Sequence, residues 1–247
     1  MIFRLGLVLS TFWISVFWIS VVAIAQVDEP YRSRAIEKWE DEIRKLESLD
    51  SSETDPADAV LLLGSSSIRR WTQAAIDLAP YRVVRRGYGG AKYSDLAVFA
   101  ERLIQPHQYR AVVMFVGNDI SGDAHDHTVD QVDGWVRHIV DVSRKHQSGS
   151  PVLIVEVTPT GKRFEHWSAI RRLNAQLREI ALSTPMVYFV PTAASFLDPD
   201  GNPRSELFVD DRLHLNDQGY VIWAELIRDQ LDDVLRLIES TREAKSK

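Results

Sequence analysis

The sequence predicts an α/β protein, a three-layer α/β/α sandwich around a five-stranded parallel sheet. Three observations carry that expectation. Apolar runs of strand length alternate with amphipathic stretches of helix length along most of the chain. The clearest strand runs are continuously apolar instead of alternating, as in strands covered on both faces. The β-α units repeat at a size that suits right-handed helical crossovers between parallel strands.

The elements follow in order. Glu29 to Leu49 carries Tyr31, Ile36, Trp39, Ile43, Leu46 and Leu49 at helical spacing with charges between them, a helix packed on the outside of the domain. Asp50 to Asp58 is polar, contains Pro56 and reads as a linker. Ala59 to Leu63 is a buried strand, followed by Gly64 and three serines, and Tyr81 to Val84 is a second, weaker strand signal. Tyr93 to Ile104 is helical with Ser94 as a candidate cap. Ala111 to Val116 is the third strand, Val129 to His146 a helix, and Val152 to Val157 the fourth strand, ended by Pro159. Phe164 to Leu182 is a helix and Met186 to Val190 the fifth strand. Ala193 to Val209 holds Pro199, Gly201 and Pro203 and reads as a long loop, Gln218 to Ile238 as a final helix, and Glu239 to Lys247 as a charged tail that frays. The sequence shows no internal repeat and no low-complexity tract.

The first 25 residues stand apart. Met1 to Ala25 has a single charge, Arg4, then an apolar run from Leu5 to Ile24 ending Ala23-Ile24-Ala25, the small-x-small pattern of a cleavage site. The expectation is a signal peptide, or an N-terminal membrane anchor if it stays uncleaved, followed by one domain over residues 26–247. The protein is then exported to the periplasm or cell exterior, without stable membrane contact after cleavage.

Composition excludes several classes. Of 247 residues, 45% are hydrophobic and 26% charged, which sets disorder and collagen aside. The net charge of −6 is wrong for a general nucleic-acid binder. The absence of cysteine removes disulfides, thiolate zinc sites, iron–sulfur clusters and cysteine nucleophiles.

Ligands of an open parallel sheet bind outside the carboxyl ends of its strands. The loops there carry Gly64-Ser65-Ser66-Ser67, Gly87-Tyr88-Gly89-Gly90, Gly117-Asn118-Asp119 and Asp211-Arg212-Leu213-His214. Taken singly, each has a structural reading. Serines cap helices, glycines make tight turns, an Asn after a strand serves turn chemistry, and an Asp three residues from a His forms a local ion pair. Neither G-x-S-x-G, which fails at Ile68, nor G-x-G-x-x-G, which fails at Lys92, is satisfied, and no G-K-[ST] phosphate loop occurs.

In order and together, the four loops resemble the SGNH/GDSL hydrolases, a family of esterases and lipases, over about Val60 to Trp223. The resemblance implies the flavodoxin-like topology of that family. It places Ser66 at the nucleophile position, with Ser65 in place of the signature Asp, and Trp71 where related sequences often carry an aromatic. It places Gly90 and Asn118 beside Ser66 in the oxyanion hole, and Asp211 and His214 in the D-x-x-H block. The family's G-x-N-D block is one residue short here, since Gly117 directly precedes Asn118, so the turn before Asn118 must differ. The implied activity is ester hydrolysis by a Ser66-His214-Asp211 triad with no metal and no organic cofactor.

The substrate expectation is a small-molecule or glycan ester carrying acetyl or another short acyl group, since no long apolar insertion offers a lipase lid. The alternatives are a lysophospholipase or acyl-thioesterase with a longer acyl chain, and a catalytically silent carbohydrate-binding or surface domain. Weaker candidates remain. Asp123, His125, Asp126 and His127 have the look of a metal cluster but read as a solvated loop bordering the cleft. Asp210 reads as a surface charge, His166-Trp167 as helix packing, and Arg69-Arg70 and Arg85-Arg86 as solvated basic pairs at the site edge, with contact to an anionic substrate as the alternative.

Overall fold

The computed structural model describes residues 29–53 and 56–246. The proposed signal or anchor segment, and the boundary at Gln26, lie outside the described residues. Five strands, β1 (Val60–Gly64), β2 (Val83–Gly87), β3 (Ala111–Phe115), β4 (Val152–Val155) and β5 (Val187–Val190), pair in parallel in the order β2-β1-β3-β4-β5. This is the flavodoxin-like order, with its switch point between β1 and β3. β1, β3 and β4 are buried along their whole length, which is why their runs are apolar without alternation.

The helices are α1 (Glu29–Asp50), α2 (Ser66–Arg70), α3 (Ala74–Asp77), α4 (Tyr93–Ile104), α5 (Val129–His146), α6 (Trp167–Ser183) and α7 (Asp217–Lys245). Strand residues alternate between two cores. Leu61, Leu63, Val112, Met114 and Ile154 point to the face covered by α1, α4, α5 and α6. Val60, Leu62, Val113, Leu153 and Val155 point to the face covered by α2, α3 and α7, where Trp71, Trp223 and Ile227 are buried. No helix among the described residues is long and apolar enough to cross a membrane.

The structure corrects several boundaries. β2 begins at Val83 and runs through Arg85 and Arg86. A strand holding two arginines looks like polar loop in sequence. Arg86 is nevertheless 1% exposed, its guanidinium paired with Asp50 and Glu53 at the end of α1. It is therefore not a solvated surface charge, and the stretch after α1 is tied to the sheet. α4 starts after Lys92, and Ser94 is buried inside it without capping. The Lys92 N–H just before it goes to the Asp95 carboxylate and its first N–H, from Tyr93, to Asp119. α6 is preceded by a 3-10 turn over Phe164–His166. α7 continues through the expected fraying tail to Lys245, where Arg242 donates to Gly149 O at 2.8 Å. α2 and α3 were too short to announce themselves by periodicity.

Candidate active site

β1 and β3 pair side by side while their crossovers leave to opposite faces, so a crevice opens at their carboxyl ends. Gly64 ends β1 with φ +147°, a conformation open to glycine alone. A Cβ there would sit 1.9 Å from Phe115 O on β3. Ser65 N then donates to Phe115 O at 3.1 Å, and the chain turns at once into α2. Ser66 opens that helix, where first-turn N–H groups have no intrahelical acceptor.

Ser66 Oγ lies 2.9 Å from His214 Nε2, and His214 Nδ1 lies 2.6 Å from Asp211 Oδ2. A carboxylate only accepts, so Nδ1 carries the proton and the Nε2 lone pair faces the serine hydroxyl. Asp211 Oδ1 accepts the backbone N–H groups of Leu213 and His214, each at 2.9 Å. Burial alone would raise the Asp211 carboxyl, but hydrogen bonds from the His214 N–H, the His214 ring and the Leu213 N–H outweigh it and hold it well below the usual carboxylate range. Asp210 is exposed and outside this array. The His214 loop is fixed from the other side by Asn216, which caps α7 by accepting Gly219 N at 3.0 Å and donates to Glu206 O at 2.8 Å. A serine hydroxyl on an imidazole lone pair with a carboxylate behind it is an arrangement that can activate the oxygen as a nucleophile.

The second and third loops meet beside Ser66. Asn118 Nδ2 donates to Ala91 O at 2.8 Å, and Asp119, wholly buried, accepts Tyr93 N at 3.1 Å. The β3 loop thereby clamps the glycine loop. Gly90 has φ +73° and lines the same cleft as Ser66, Asn118 and His214. Asn118 Oδ1 accepts from Arg163 Nη2 at 2.7 Å, and Arg163 Nη1 donates to Gly117 O. Burial lowers the pKa of Arg163, partly offset by Asp126 and Asp119 acting through space. The shortened Gly117-Asn118 segment still delivers Asn118 to the crevice.

Two spaces flank Ser66. One is a small cavity of ≈ 30 Å³, walled by Phe115, Val157, Ile170 and Trp223. The other is an open cleft of ≈ 380 Å³, edged by Trp39, Glu42, Arg69 and Arg70. Trp39 and Glu42 come from α1, so that helix is more than outer packing. It is held by Arg102 of α4, which bonds both Glu40 and Glu47, and by the Arg86 pairs. Arg69 and Arg70 are solvent-exposed but face this cleft. The Asp123–His127 loop is organised by its own bonds. Asp126 accepts Ser121 N and Gly122 N, Asp123 meets His125, and His127 meets Asp119.

Sequence reasoning missed Arg163, Trp39 and Glu42. For Arg163 no motif exists, since its partners lie 45 residues away. For Trp39 and Glu42, spacing marks a helix but not what the helix faces.

Residues 53–222 match the model of the GDSL-like Lipase/Acylhydrolase family. Platelet-activating factor acetylhydrolase IB subunit alpha1 of Rattus norvegicus is 27% identical over 180 residues, which is 69% of this chain and 73% of the relative. Among solved structures, a putative platelet activating factor from Streptococcus pneumonia[e] superposes with a TM-score of 0.68 at 20% identity, covering 81% of this chain and 95% of that one. A GDSL-like lipase from Bacteroides thetaiotaomicron gives 0.64 at 18%, covering 77% and 97%. A carbohydrate esterase family 3 protein from Talaromyces cellulolyticus gives 0.58 at 16%, covering 72% and 98%. These structures share the fold.

Proposed function

The chain belongs to the GDSL-like lipase/acylhydrolase family and is a carboxylic ester hydrolase; from that premise we propose an exported serine esterase that removes acetyl or another short acyl group from a carbohydrate. The observation that carries the reading is the unbroken Ser66–His214–Asp211 hydrogen-bond chain. His214 takes the Ser66 proton as Ser66 Oγ attacks the ester carbonyl, and Asp211 steadies the imidazolium. The Ser66 N–H, the Gly90 N–H and the Asn118 amide receive the oxyanion. His214 then protonates the leaving alcohol. Water, activated by the same imidazole, attacks the acyl-enzyme and releases the acid.

Short acyl specificity is supported by the cavity beside Ser66. Its ≈ 30 Å³ is room for about two waters on the same measure, enough for a methyl group but not for a long chain. A lysophospholipase or long-chain thioesterase would need an apolar channel instead. A carbohydrate alcohol is supported by the wide cleft that also reaches Ser66, where an indole and charged side chains offer an apolar face and polar groups. A solved neighbour named as a carbohydrate esterase agrees with that choice. Export rests on the Leu5–Ile24 run and its Ala-Ile-Ala end.

The test is a p-nitrophenyl acyl series with Ser66→Ala, Ser65→Ala and Ser67→Ala measured together. Activity should be lost in the Ser66 variant alone and should fall from acetate to octanoate. Full activity of Ser66→Ala removes the nucleophile, and rates rising with acyl length remove the short-acyl reading.

A further inference from the structure

Arg163 sits in the loop between β4 and the 3-10 turn, on the wall of the cavity beside Ser66 and Asn118. It is half-buried, and its fork spends its donors on Gly117 O and Asn118 Oδ1 instead of on a carboxylate. Placing a guanidinium there costs desolvation that Asp126 and Asp119 return only in part, so what it does for its neighbours is the question.

The chemistry of the contact fixes one orientation. A side-chain amide can swap its oxygen and nitrogen with little change in shape. Arg163 can only donate, so the Asn118 oxygen must face it. Ala91 O can only accept, so the Asn118 nitrogen must face Ala91. With both ends assigned, one N–H of Asn118 is used and the other remains for a ligand in the crevice. A cation on Oδ1 also draws electron density from the amide and strengthens that remaining N–H as a donor. The second prong of the fork holds Gly117 O, in the segment where one residue fewer separates Gly from Asn than in related sequences. Arg163 is itself held from two directions. Its N–H donates to Thr160 O at 3.1 Å, and Lys162 N donates to Arg212 O at 3.0 Å in the loop that carries Asp211 and His214.

We propose that Arg163 is a positioning residue of the oxyanion hole, orienting and polarising the Asn118 amide and bracing the shortened Gly117-Asn118 turn. The proposal rests on the assignment of Asn118 to that hole, and the experiment separates the two. Four enzymes are compared on p-nitrophenyl acetate: wild type, Asn118→Ala, Arg163→Met, and the double variant. Asn118→Ala should lower kcat about 100-fold or more. Arg163→Met should lower kcat roughly 10-fold or more with KM changed less than about threefold. The double variant should be no slower than Asn118→Ala by more than about threefold, because Arg163 has nothing left to position.

Multiplicative losses in the double variant, or an unchanged kcat in Arg163→Met, overturn the proposal while Asn118→Ala stays impaired. An unchanged kcat in Asn118→Ala instead overturns the oxyanion assignment beneath it. Arg163→Lys keeps the half-buried charge but can reach one acceptor at a time, so it protects the test if Arg163→Met does not fold. The same cycle built on the lysine variant should show a smaller loss that again vanishes in the Asn118→Ala background, and a loss that persists there overturns the proposal.

Discussion

Asp211→Asn tests the triad with the least change in shape. Asp211 Oδ1 accepts two backbone N–H groups, from Leu213 and His214, and Oδ2 meets His214 Nδ1 at 2.6 Å. In the variant the amide oxygen stays with the two N–H groups, because turning it over would leave both facing an NH2 group at about 1–3 kcal/mol each. The NH2 group is then set against Nδ1 and can only donate. His214 must answer by moving its proton to Nε2, and an Nε2–H cannot take the Ser66 proton. The expected loss in kcat is on the order of 10³- to 10⁴-fold, as for the same inversion in an unrelated serine protease, or roughly 4 to 5.5 kcal/mol of barrier. The assay is p-nitrophenyl acetate hydrolysis beside thermal unfolding at pH 7, where Tm should stay within a few degrees. An Asn variant within tenfold of wild type in kcat, at normal stability, would refute the tautomer argument and Asp211 with it.

Further outcomes follow from other contacts. Gly64→Ala should cost at least about 3 kcal/mol in urea unfolding, since it adds strain at φ +147° to a clash with Phe115 O that forces β1 and β3 apart. Trp39→Ala should raise KM for an acetylated oligosaccharide several-fold and leave p-nitrophenyl acetate within about twofold, because the indole edges the open cleft proposed for the leaving alcohol and does not line the small cavity; equal effects on both esters would count against it. Asp211, held below its ordinary value of 3.8, contributes stability that is present above that pH and lost as pH falls through the folded value. The Tm gap between wild type and Asp211→Asn should therefore narrow below about pH 4, and a gap that widens would contradict the sign. Mass spectrometry of the protein from its native host should find Gln26 at the N-terminus, and a retained Met1 would favour the anchor.

The sheet was legible because its inner strands are buried on both faces, so β1, β3 and β4 appear as unbroken apolar runs. The polar array was legible because each piece lies just past a strand or inside one short turn. Asp211 and His214 are three residues apart and find each other locally, whereas Ser66 reaches His214 across 148 residues only because the sheet brings β1's end to the α7 loop. What sequence hid were groups whose role depends on a distant partner. Arg86 looks like surface charge until Asp50 and Glu53 are folded onto it. Trp39 marks the apolar stripe of α1, yet which neighbour that stripe meets is set by Arg102 and two glutamates. Arg163 belongs to no pattern, and the shortened turn that hinted at altered geometry did not say which residue holds it.

Labelling with a fluorophosphonate, with the adduct mapped by peptide mass spectrometry, asks whether Ser66 is the nucleophile of this acylhydrolase. One adduct is expected, on Ser66, absent in Ser66→Ala and formed much more slowly in His214→Ala. An adduct on Ser65 or Ser67, or an active enzyme that takes no label, would contradict it.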